Sequence, residues 1–125
     1  MGAKWIKISI FYLILTIAFG LFMHYAIQLQ WKTTHAHIGV VGWLTTGFIG
    51  LVYCLFKDAA KTGLAKAQFW LYNIGLPFLL VGMMMMVYLD VPHWLFELFV
   101  SGGGIAVALS ILLFFVNVLQ NVKST

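Results

Sequence analysis

Four apolar runs, roughly Ile8 to Leu29, His35 to Phe56, Phe69 to Leu89 and Trp94 to Leu119, leave this chain little choice of fold. Each approaches or exceeds the ~20 residues that a helix needs to cross a bilayer. Inside hydrocarbon every backbone N–H and C=O must be paired by protein, so runs of this kind span as helices. Charge agrees: only 8% of the residues are charged, against about 25% in a soluble domain. The first run is too long for a signal-peptide core and reads as a span. The sequence therefore predicts an all-α membrane protein, a single transmembrane domain over 1–125, built as a four-helix up-down bundle. The polar links Gln28 to Thr34 and Asp90 to His93 are short and impose antiparallel neighbours. Pro77 lies inside the third run, where it predicts a kink.

Charge also sets an orientation. Lys4, Lys7, Lys57, Lys61, Lys66 and Lys123 fall at one end of such a bundle. Lys32 falls at the other, with Asp90 and Glu97. The excess of lysine places both termini and the middle loop inside, N-in and C-in, as in a bacterial inner (cytoplasmic) membrane. Trp5 and Trp70 read as anchors at the inner interface, and Trp31 and Trp94 as anchors at the outer one.

Several chemistries are excluded. The single cysteine, Cys54, allows neither an internal disulfide nor a cysteine-based metal cluster within one chain. Three acidic residues, Asp58, Asp90 and Glu97, are too few and too scattered for a carboxylate dyad. Gly102-Gly103-Gly104 lacks the lysine of a phosphate loop. It reads instead, with Ala106 and Ser110, as a close-packing helix surface, and Asn73 and Asn117 as hydrogen-bonding groups between helices. No nucleic-acid partner is implied.

Histidine is what remains. His24, His35, His37 and His93 all fall toward the predicted outer face, as do Met23 and Met83 to Met86. A histidine within a span is a functional candidate. Residues two apart on a helix point about 200° from each other, so His35 and His37 serve opposite flanks and do not grip one ion together. His35 continues into Gly39, Gly42, Thr46 and Gly50, a stripe that admits either a packed helix or a flat ligand. His37 continues into Val41, Leu44 and Phe48, an apolar face.

His35-Ala-His37 followed by Gly42-Trp43, Gly47, Gly50 and Tyr53 resembles the second helix of small four-helix membrane proteins related to subunit I of the haem–copper oxidases, including the cbb3-type oxidases and nitric oxide reductases. Trp70 to Pro77 and Phe114 to Val118 extend the likeness over most of the chain. The resemblance implies one four-helix arc of that subunit. It implies haem b bound through His35 and His37, with Gly39, Gly42 and Trp43 against the porphyrin and His24 as an alternative axial ligand. Electron transport or haem-linked sensing follows, with a redox partner protein. One chain lacks the other arcs and the full histidine set, so oxidase or nitric oxide reductase activity is not implied for the monomer. A homo-oligomer, most simply a trimer, would set His35 of one copy against His37 of the next. Two other readings stand beside this one. Soft thioether and imidazole groups of Met23, His24, His35, His37 and Met83 to Met86 suit Cu(I), as in a copper-handling or oxidase-assembly protein. Without any cofactor the chain is a packing or accessory subunit.

Overall fold

The computed structural model describes residues 1–88 and 90–124. The described residues are helical apart from short links and chain ends. Four helices are long and apolar enough to cross a membrane: Gly2–Tyr25, Leu29–Leu55, Gly63–Val87 and His93–Asn121. They are called here the first to fourth spans. The third helix as a whole runs Gly63–Tyr88, and the side chain of Tyr88 and the predicted helix end at Leu89 lie outside the described residues. Pro77 sits within this helix.

The spans alternate in direction. Gly39 faces Thr16, Gly42 faces Tyr12 and Gly50 faces Trp5 and Ile6, the pattern of an antiparallel first and second span. Gly75 against Gly103 and Ala106, and Gly82 against Phe99 and Val100, give the same relation between the third and fourth. The two hairpins touch at both ends, where Leu29–Trp31 and Lys32–His37 meet the third span and where the Lys57–Ala60 turn meets the fourth, the lysine-rich end. There Trp5 packs edge-on against Phe69 and Tyr72, at centroid distances of 5.4 and 5.5 Å.

A buried polar cluster ties this end together. Tyr53 donates to Gln68 Oε1. Asn117 Nδ2 donates to the Tyr53 hydroxyl at 3.2 Å and to the Ala59 carbonyl at 2.9 Å. Ser110 donates to the Gln68 carbonyl at 2.8 Å. The second, third and fourth spans and the Lys57–Ala60 turn therefore share one network. In hydrocarbon such bonds fix register between helices that have little hydrophobic reason to prefer one partner over lipid. Asn117 is thus the interhelical group expected of it. Asn73 is not: its Nδ2 donates to Phe69 O at 2.8 Å within its own helix. A side chain on a helix can reach the carbonyl four residues back as readily as a neighbouring span.

The tryptophans divide differently from expectation. Trp70 and Trp94 are exposed, at 62% and 67%. Trp5 and Trp31 are buried within the protein, at 0% and 5%. Trp31 packs edge-on against Phe19. Being near a span's end makes a tryptophan an interface anchor only if its helix turns it outward, and here two of the four turn inward.

Candidate functional site in the second span

The second span starts earlier than the polarity of Gln28 to Thr34 suggests. A 3-10 turn, Leu29–Trp31, runs directly into α-helix at Lys32–His37. The entry turn is strained. Ile27 adopts φ 53°, the left-handed region that a β-branched side chain disfavours. Gln28 N donates to Met23 O at 3.0 Å across it, the usual closure of a helix end, which ordinarily has glycine at this position. The early start moves His35 and His37 away from the mouth of the span and into it. His35 lies opposite Thr16, Phe19 and Gly20 of the first span. Those residues precede the helix end at Tyr25 by five to nine positions, so the ring lies roughly 10 Å inside that end at 1.5 Å per residue.

Immediately after His37 the helix widens. Ile38–Leu44 forms a π-helix, a rare arrangement that concentrates at functional sites. Its wide turns offer carbonyls to other donors, and side chains take them. Thr45 Oγ1 donates to Val40 O at 2.8 Å. Tyr72 of the third span donates to Val41 O at 2.5 Å. Thr46 donates to Gly42 O. Ser9 of the first span reaches Trp43 O at 2.9 Å. Val40 and Val41 between Gly39 and Gly42, followed by two threonines, supply the local sequence for this. The bulky valines crowd a tight turn, the glycines yield, and the hydroxyls pair what the turn exposes. Hydroxyls of both neighbouring spans thus hold the wide segment in place.

The two histidines go to different surroundings. His35 Nε2 lies 3.1 Å from Thr16 O. A carbonyl can only accept, so Nε2 carries the proton and Nδ1 the lone pair. The ring stacks on Phe19 at 6.4 Å. His37 Nδ1 lies 3.0 Å from Thr33 O in its own helix. By the same logic Nδ1 is protonated and Nε2 keeps its lone pair. A backbone carbonyl behind an imidazole is the usual device for presenting the opposite nitrogen to a metal. His37 is half-buried, and Val40, Leu44 and Phe48 beyond it are exposed.

The stripe below His35 is filled by the first span. A Cβ at Gly42 would stand 2.7 Å from the Tyr12 ring, and one at Gly20 would stand 3.0 Å from His35 Nε2. A Cβ at Gly39 would already be 3.4 Å from Thr16. No porphyrin fits between these two spans in one chain. His35, Gly39 and Gly42 pack helices here, while His37 bonds back to its own helix. Trp43 is partly exposed, at 38%, and borders an apolar groove with Leu44 and Phe48.

The remaining candidates are apart from this pair. His24 is exposed and edge-on to Tyr25 at 4.8 Å. Met23 is buried. Met85 and Met86 line a crevice of about 270 Å³ with His93 and Phe96, and His93 Nε2 lies 3.9 Å from Glu97 Oε1. Among the described residues no group of three or more histidine, cysteine, aspartate or glutamate side chains is placed to hold a metal. The π-helix and its hydroxyl partners were not foreseen. A Val-Val pair between glycines and ahead of two threonines is the signal that the sequence offered.

No protein-family model, curated protein or solved structure matches this chain. The fold itself defines a multi-pass, all-helical membrane protein.

Proposed function

We propose that this chain holds a b-type haem at a contact between copies, with His37 as axial ligand, in an electron-transfer or haem-linked sensing role. The observation that supports it is the pose of His37. Its Nδ1 is tied to Thr33 O, its Nε2 is left for a metal, and the exposed Val40, Leu44 and Phe48 offer the apolar surface that a porphyrin wants. His37 and a second imidazole would hold the haem, which would supply one-electron transfer. The second imidazole comes from another copy, since His35 of the same chain lies on the opposite flank of the helix, against Thr16 and Phe19 of the first span. The resemblance of the His35-Ala-His37 segment to the second helix of proteins related to haem–copper oxidase subunit I points to the same reading. The lysine-rich end then faces the cytoplasm across a bacterial inner membrane.

A second reading, Cu(I) handling, has one observation in its favour. Met85, Met86 and His93 share a crevice, and thioether with imidazole suits that ion. Met23 and His35, engaged in packing, have no part in it.

The reduced-minus-oxidised visible spectrum of detergent-purified protein, with haem and copper assays on the same sample, tests both. Low-spin b-type bands that vanish in His37→Ala, in a variant that melts like wild type, support the haem reading. Bands that survive His37→Ala overturn it. Copper without haem, lost in His93→Ala, moves the assignment to the Met85–Met86 crevice. Neither cofactor, after expression with added haem and copper, leaves a packing or accessory subunit.

A further inference from the structure

At the lysine-rich end, the start of the first span and the end of the second enclose a pocket of about 320 Å³. Met1, Gly2, Cys54 and Ala60 form its walls, and the exposed Lys57 and Lys61 its rim. The volume lies at the lower end of small-molecule sites. Among the described residues no carboxylate lines the pocket. Asp58, on the same turn, borders a separate crevice that Lys57 shares with Asn121 and Lys123. Among the described residues neither lysine is in an ion pair. The rim is thus cationic and uncompensated, in a chain of formal charge +4.

The pocket has an apolar continuation. An open groove of about 350 Å³ runs between the same two spans, lined by Ile6, Gly47, Phe48 and Leu51, with Trp43 and Leu44 farther along. Gly2 and Ile6 are four residues apart, and so are Gly47 and Leu51, with Cys54 three residues beyond. At helical spacing these are successive positions on one face of each span. The two spaces therefore line up along one seam, with charge at the membrane's edge and hydrocarbon below it.

We propose that this seam binds one anionic phospholipid, its phosphate between Lys57 and Lys61 and an acyl chain in the groove past Leu51. A soluble phosphate would use the rim alone and leave the groove without a purpose. A zwitterionic lipid would fill the groove but carry its own cation to the rim. An anionic headgroup matches both halves, and basic recesses between spans are where such headgroups are recognised.

The test is native mass spectrometry of the full-length protein with phosphatidylglycerol, phosphatidylcholine or inorganic phosphate. One phosphatidylglycerol is expected to be retained in preference to phosphatidylcholine. Lys57→Gln with Lys61→Gln should weaken that retention on the order of tenfold, from the usual contribution of each lysine near a membrane surface. Lys4→Gln with Lys7→Gln removes the same formal charge elsewhere at this end and should leave retention unchanged. Leu51→Trp, at an exposed position, fills the groove and should also release the lipid. Equal retention of phosphatidylcholine overturns the proposal, as does equal loss in the Lys4 and Lys7 variant. Displacement of the lipid by inorganic phosphate would show instead a site for a soluble anion.

Discussion

Gly102 and Gly103 are neighbours in the fourth span, and replacing each by alanine should have opposite consequences. A Cβ on Gly103 would stand 2.4 Å from Leu79 N, 2.6 Å from Gly75 O and 2.9 Å from Leu79 Cα. All three atoms are backbone, so no side-chain rotation relieves the contact. Ordinary van der Waals contact for a Cβ begins at 3.4 Å, so the third and fourth spans must part by roughly 1 Å, the difference from 2.4 Å. A gap of that size forfeits a quarter to a half of each dispersion contact along the seam. The seam extends to Gly82 against Val100 and to Phe78 beside Phe99, with centroids 5.1 Å apart. Overpacking of this kind costs about 1–3 kcal/mol. A Cβ on Gly102 meets nothing within 4 Å. Both substitutions gain the helix preference of alanine over glycine, about 1 kcal/mol, and this gain cancels between them. Gly103→Ala should therefore be about 1–3 kcal/mol less stable than Gly102→Ala. Reversible unfolding in mixed micelles, followed by circular dichroism, measures the difference. Equal stability of the two variants would refute the packing of Gly103 on Gly75 and Leu79. A loss confined to Gly102→Ala would indicate a helix of another copy on that open face.

Other outcomes follow from the same geometry. Ile27→Gly relieves the left-handed turn between the first two spans and should stabilise the protein by about 1 kcal/mol, read by the same unfolding assay; a loss would mean that the Ile27 side chain contributes more than its φ costs. Tyr72→Phe strips the hydroxyl from the Val41 carbonyl and should cost about 0.6 kcal/mol and no more than ~1.7, the range for bonds between membrane helices. Asn117→Leu orphans the Ala59 carbonyl and one partner of Tyr53, a loss of about 1–3 kcal/mol. Combining it with Tyr53→Phe should give less than the sum, since the two share one network. In single-tryptophan variants a lipid-borne quencher should dim Trp70 and Trp94 strongly and leave Trp5 and Trp31 nearly untouched; equal quenching of all four would contradict the burial of the latter pair.

The apolar runs were legible because each reports a local balance: enough hydrocarbon per turn, too little charge, and links too short for anything but antiparallel spans. Asn117 was recognisable as a group that bonds between helices, because an amide in hydrocarbon has to find a partner. The separation of His35 from His37 was legible for a related reason, since two residues apart on a helix is a fixed angle. Which surface each histidine meets was not. That depends on where the second span begins and how its neighbours are rotated, and these are set by contacts such as Tyr12 on Gly42 and Ser9 on the Trp43 carbonyl. A pattern read at 3.6 residues per turn also cannot foresee a π segment, which changes the period within a single helix. So the sequence by itself determined four spans, their alternation and a lysine-rich end. Tertiary structure decided that His35 closes onto Thr16, that His37 bonds back to Thr33, that Trp5 and Trp31 turn inward, and that two lysines border a pocket between the first two spans. The physical reason is that hydrophobic burial in lipid selects helices without selecting their neighbours. Side-chain shape and hydrogen bonds between particular residues make that second choice.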